Sequence, residues 1–226
     1  MTRLSHAIKV GSVIFGLTAP VTVGFAQEST ITAGQLSVLT GDWWQWALSI
    51  PVSENPLVDQ TGSDCNVGQR GRVWFLAGNL TGQPAVTRKC SLPEDKSLFF
   101  PIINLINISI PVGVCGSTGT ETVKMLRADI KPVIDQASQL SATVNGHSVG
   151  YQRIQSVPFP VFLPADNLFG GSSCPAGVYA PAVDDGYYVY LPGLKPGEHT
   201  IHFFGTDPDG TQDVTYNLTV VLVSTQ

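Results

Sequence analysis

A few carboxylates, imidazoles and indoles are the residues of this chain that could do chemistry. His199 and His202 stand three apart in the run HTIHFF. Histidine changes charge near neutral pH, so either ring could act as a general acid or base. They do not form a metal pair, because residues three apart in a strand face opposite sides. One of them beside Asp184 or Asp185 of a neighbouring strand would make a hydrolytic His/carboxylate site. A histidine held for structure is the plainer reading. Downstream, Asp207, Asp209 and Asp213 with Thr211 lie in the stretch DPDGTQD. Those oxygens could gather on Ca²⁺, which takes six to eight of them. Asp, Pro and Gly are also what a tight turn needs, and the turn is the simpler reading. Ca²⁺ is the one cofactor the sequence suggests.

A third constellation is aromatic. Trp43, Trp44 and Trp46 fall within four residues of the stretch GDWWQWALSIP. Trp44, together with Asp59, Gln69 and Arg88 from the polar segments that follow, could rim a pocket. An aromatic face with a few polar groups is how a glycan or small polar ligand is held. The alternative is an ordinary polar loop at the end of a helix. No G-x-S-x-G, H-E-x-x-H, P-loop or dinucleotide fingerprint occurs, which argues mildly against the common enzyme classes.

The elements that must position these residues follow from periodicity. Thr32 to Gln35 reads T-x-x-Q, a capping box. Apolar residues then recur at Leu36, Leu39, Trp43, Trp46, Ala47 and Ile50, within about 100° of helix arc. The spacing predicts a helix over about 33–50, ended by Pro51, with Gly41 as a weak point and Trp44 turned toward a surface groove. Runs at 72–76, 85–90 and 98–102 predict strands, and 102–114 reads as a buried connection. A second capping box at Thr118–Glu121 predicts a second helix, which Pro132 kinks or ends. Asn145-Gly146 between extended runs predicts a hairpin. Tyr187–Leu191, His199–Phe204 and Val214–Leu222, with turns between, predict an antiparallel meander. The fold expected is mainly β: one antiparallel β-sandwich, Ig-like or jelly-roll-like, with two attached helices.

Arg3 and Lys9, the uncharged run Val10–Val23 and the small residues Gly24 and Ala26 form an export signal over 1–26. That run is shorter than the roughly 20 apolar residues of a membrane span. Residues 27–226 are then one domain, exported to the periplasm or the extracellular space, with no membrane insertion after cleavage. Ten basic against seventeen acidic side chains remain, a net charge of −7. With no basic cluster, nucleic acid is excluded as a partner. Cys65, Cys90, Cys115 and Cys174 form an even set in an exported chain, which predicts two disulfides. Three pairings are possible. Cys65–Cys90 with Cys115–Cys174 closes the shorter loops and is preferred over a metal cluster, for which the spacing is wrong.

The stretches DWWQWALSIPVSENPLVDQTG and GQRGRVWFLAG, with LKPGEHTIHFFG and DVTYNLTV near the end, resemble a group of exported bacterial proteins that carry no assigned activity. The resemblance implies a shared closing hairpin and brings no catalytic or ligand residues. The function expected is an exported, disulfide-stabilised binding or surface-associated module without catalysis. The runner-up is an extracellular hydrolase with a His/carboxylate site. A structural protein of an envelope assembly is a third possibility.

Overall fold

Thr32 and Gln35 form the capping box that the sequence predicts. The Thr32 hydroxyl accepts from the Gln35 N–H at 3.3 Å, and Gln35 Oε1 accepts from the Thr32 N–H at 2.8 Å. They open α1, Ala33–Ser49. Ile50 has extended backbone ahead of Pro51 and ends it. The last carbonyls of a helix lack intrahelical partners; here the buried Asn55 side chain donates to Ala47 and Ile50 at 2.8 Å each. Gly41, the expected weak point, has a packing reason. A Cβ there would lie 3.0 Å from the Phe159 ring, so glycine lets the helix settle closely on the strand beneath.

The computed structural model describes residues 31–80, 85–171 and 173–223, and the expected leader over 1–26 lies outside the described residues. From Ile31 onward the chain forms one compact unit. It is mainly β, with two helices and two mixed sheets. The first sheet holds β1 (Val73–Phe75), β3 (Ser97–Ile108), β8 (Gly177–Leu191) and β6 (Gln152–Gln155) in that order, with β7 (Phe159–Leu163) also paired to β8. The second runs β2 (Val86–Pro93), β10 (Gly210–Val221), β9 (Gly197–Asp207), β4 (Ser138–Val144) and β5 (His147–Ser148).

One apolar cluster draws on both sheets: Leu98, Phe100, Ile102 and Val189 from the first, and Ile201, Phe203, Val214, Tyr216 and Leu218 from the second. Burying each large side chain contributes about 1.5–3 kcal/mol. The bulge between Pro101 and Ile103 places both Ile102 and Ile103 in that cluster. It also spares Pro101, which cannot donate, a place in an unbroken ladder. A second cluster joins α1 to Phe99, Phe159, Val161, Ala182 and Tyr188. A small third cluster seats α2 (Val123–Ile134) through Leu126 and Ile130 on Val183 and Leu105.

Several expectations are corrected. The sheets are not purely antiparallel: β1 runs parallel to β3, and β2 parallel to β10. Both pairs join strands with a crossing between sheets in the chain between them, so no hairpin dictates their direction. Tyr187–Leu191 does not begin the closing meander. It ends β8 in the first sheet, and residues 192–196 cross to β9 in the second. β9 and β10 do pair as a hairpin. Asn145 and Gly146 both have positive φ, at 52° and 78°, as a type I′ turn requires. Only His147–Ser148 returns along β4, and Gln152–Gln155 joins the other sheet. The second helix begins four residues late. Its N-cap is Thr122, which accepts from Met125 N–H at 3.4 Å, rather than Thr118. The Thr118 segment is committed elsewhere. Cys115 is bonded to Cys174, and the Ser117 hydroxyl bonds to Ile110 and Gly119. The other disulfide joins Cys65 to Cys90.

Candidate functional site

The three clustered indoles are all buried, because α1 is covered by the first sheet on one side and by the loop after it on another. An indole N–H taken out of water needs an acceptor. Trp43 donates to the Leu76 carbonyl at 3.0 Å and Trp46 to the Val67 carbonyl at 2.9 Å. Trp44 donates to Asp184 Oδ1 at 2.7 Å. Trp44, 8% exposed, therefore reaches a buried carboxylate and not a surface groove.

Asp184 and Asp185 are adjacent in β8, and their side chains meet opposite environments. Asp184 is fully buried and takes hydrogen bonds only from neutral donors, Trp44 and, at 2.8 Å, the Tyr188 hydroxyl. Tyr188 in turn accepts from Asn104 at 2.9 Å. The second oxygen of Asp184 has no hydrogen bond of ordinary length among the described residues, and the Thr40 hydroxyl lies near the carboxyl. Desolvation disfavours the anion, and the carboxyl is pushed up to about 8. Asp185 instead faces a cation. Arg153 grips it with Nε at 2.8 Å and Nη2 at 2.7 Å, Gln155 adds a bond at 3.0 Å, and Arg153 Nη1 reaches Asp135 at 2.7 Å. These carboxylates, with burial opposing them, hold the Arg153 guanidinium more firmly protonated than usual. Neither histidine stands near Asp184 or Asp185 as a hydrogen-bond partner. His202 meets Asp213 at 2.9 Å on the outward side of the second sheet, and His199 bonds to Asn145 and the Lys195 carbonyl.

The other expected ligand residues are also committed to bonds within the protein. Arg88, 1% exposed, donates to the carbonyls of Asp59, Ala77 and Gly78 and to the Tyr216 hydroxyl at 2.7–3.0 Å. Residues 76–78 form a buried non-ladder segment whose backbone groups need partners; Trp43, Arg88 and Tyr216 supply them. Asp59 holds its own turn. Burial works against its charge, but bonds from Thr61 and Asp64 outweigh that and keep the carboxyl below its ordinary range. Gln69 receives the Phe75 N–H at 2.9 Å and donates to the Phe75 carbonyl at 2.8 Å. One side-chain amide thus pairs with the edge strand β1 as another strand would, and closes it to further pairing. These four residues do not form a common rim. Nor do the three aspartates gather. Asp207 caps its own turn by accepting from Asp209 and Gly210, while Asp213 pairs with His202. Among the described residues no three His, Cys, Asp or Glu side chains form a metal-binding group.

The arrangement best suited to a ligand lies elsewhere along α1. A groove of about 700 Å³ runs between Leu39, Asp42, Gln45, Trp46 and Ser49 of the helix, the segment Gly68–Arg72, and Val73 and Phe75 of β1, with Phe162 of β7 on its wall. Its floor is aromatic: Trp46 and Phe75 have ring centroids 5.5 Å apart. Gly68 makes this possible, since at φ +67° it leaves room where a Cβ would press on Trp46 at 3.1 Å. Phe162 is 49% exposed. Partial burial raises the Asp42 carboxyl. Arg70 and Arg72 are exposed, and among the described residues neither makes an ion pair. A depression of about 510 Å³ over the Cys65–Cys90 bond has polar walls and no aromatic side chain, and its Glu198 already accepts from Thr219.

Sequence reasoning missed this groove, though two signals were present. Phe162 alternates outward from Phe159, Val161 and Leu163, an aromatic on the solvent side of a strand. Arg70-Gly71-Arg72 concentrates positive charge in a chain of net charge −5. No family model matches the chain, and neither curated proteins nor solved structures show a significant similarity to it.

Proposed function

We propose that this protein is an exported, non-catalytic binding module whose ligand lies in the groove beside α1. The observation that carries the reading is the groove itself. Its size falls within the ~300–1,000 Å³ of small-molecule sites, its floor is apolar and aromatic, and charged groups that make no ion pair among the described residues converge on it. Export is supported by the leader-like residues 1–26 and by two disulfides, which persist in oxidising compartments. Among the described residues no helix is long and apolar enough to cross a membrane. The apolar cluster shared by the two sheets supports a sandwich, with Ig-like or jelly-roll-like packing modified by two parallel pairs.

The test is an oligosaccharide and small-acid array probed with the full chain and with Phe162→Ala. The wild-type protein is expected to retain a set of ligands that Phe162→Ala loses at unchanged Tm. Retention by both, or by neither, overturns the reading. One observation favours the hydrolase alternative, the 2.9 Å contact of His202 with Asp213. Hydrolysis of an extracellular substrate that His202→Gln abolishes would establish it.

A further inference from the structure

We propose that the groove selects ring ligands bearing an oxyanion, a carboxylate or sulfate, with Arg70 and Arg72 as the groups that recognise it. This rests on the binding reading and adds the ligand's charge. The described residues include five arginines. Three are engaged: Arg88 with buried carbonyls, Arg127 with the Ser156 carbonyl, and Arg153 with two aspartates. The side chains of Arg70 and Arg72 alone make no hydrogen bond or ion pair among the described residues, and both line the groove. A guanidinium offers five donors and no acceptor, in a fork that fits planar oxyanions.

A second observation points the same way. A cavity of about 100 Å³ adjoins the groove, sharing Arg70 and Val73 with it, and is also lined by Trp74 and Lys96. The Trp74 ring lies on the face of β1 opposite to Val73 and Phe75, and its buried N–H has no partner among the described residues. An indole N–H can only donate. Lys96 donates to the Gly71 carbonyl at 3.0 Å and lies 3.4 Å from Asp95, leaving ammonium donor capacity over. Arg70 and Lys96 are thus the donors with capacity left at this end, while the groove's carboxylate, Asp42, has its charge disfavoured by partial burial. An oxyanion at Arg70 and Arg72 supplies the acceptor atoms these donors need, while its ring extends over Phe75 and Phe162. Uronic acid and sulfated sugars share this chemistry.

The experiment titrates the full chain calorimetrically with trigalacturonate, with its neutral methyl ester, and with a sulfated trisaccharide. The acidic probes are expected to bind about tenfold or more tightly than the ester, a margin that shrinks with added salt, as charge-assisted bonds to exposed arginines should. Arg70→Gln with Arg72→Gln should erase the margin without lowering Tm, since neither side chain bonds to another group among the described residues. Preference for carboxylate over sulfate, or the reverse, identifies the source. Equal binding of acid and ester, lost in Phe162→Ala, overturns the charge selection and leaves the groove as the site. A margin that survives the double arginine variant overturns the assignment of those residues. No binding of any probe overturns the inference, while the array decides separately whether the groove binds at all.

Discussion

Asp184→Asn should stabilise this protein at neutral pH and leave it unchanged in acid. Asp184 is fully buried, and its neighbours Trp44 and Tyr188 are neutral donors, so the folded protein keeps the carboxyl protonated up to about 8, against 3.8 ordinarily. Between those values the unfolded chain has released a proton that the folded chain retains. Stability is then full below pH 3.8 and falls by about 1.4 kcal/mol for each pH unit until the folded group ionises near 8. From pH 4 to pH 7 the loss amounts to about 4 kcal/mol. Asparagine does not titrate. Its carbonyl can replace Oδ1 as acceptor for Trp44 and Tyr188, and its amide occupies the place of the acid's O–H. Urea unfolding of both proteins, disulfides intact, at pH 4 and pH 7 measures the effect. All other groups are common to the two proteins, so the stability difference should grow by about 4 kcal/mol in favour of asparagine. A difference that does not change with pH, or that grows in favour of aspartate, would show the carboxylate to be ionised in the folded state and refute the reasoning.

Two further substitutions test other parts of the fold. Arg153→Gln strands the buried Asp185 carboxylate without a cation and should cost about 3 kcal/mol by the same unfolding assay; adding Asp185→Asn should recover much of it. Gly41→Ala would raise helix propensity by about 1 kcal/mol on an open face, but its Cβ would meet the Phe159 ring at 3.0 Å. A net loss of about 1 kcal/mol is expected, and a rise in Tm would mean that the ring moves aside freely.

What the sequence made legible was local. The Thr32–Gln35 capping box, the Asn145–Gly146 turn and the β9–β10 hairpin each depend on residues close in the chain, and each forms. What it hid was long-range. β8 spans fifteen residues, yet Pro181 and the run Asp184-Asp185-Gly186 read as breakers. Pro181 lies where the β7–β8 register shifts, and both aspartates find partners far off in sequence. Trp44 and Arg88 looked like rim residues for the same reason. Their partners Asp184 and Tyr216 lie 140 and 128 positions away, so nothing local marks the two side chains as buried. The groove was missed because Trp46, Arg70, Phe75 and Phe162 converge only after α1 settles on the first sheet.

The claim that the groove beside α1 is the ligand face is tested most directly by the indole N–H signals in a ¹⁵N NMR titration with the tightest ligand from the array. The four tryptophans give four probes. Trp46 lines the groove and Trp74 the adjoining cavity, while Trp43 and Trp44 are committed to the interior. A saturating shift of the Trp46 signal, with those of Trp43 and Trp44 nearly still, is the predicted result. Shifts confined to backbone signals around His202 and Asp213, with all four indoles unmoved, would contradict it.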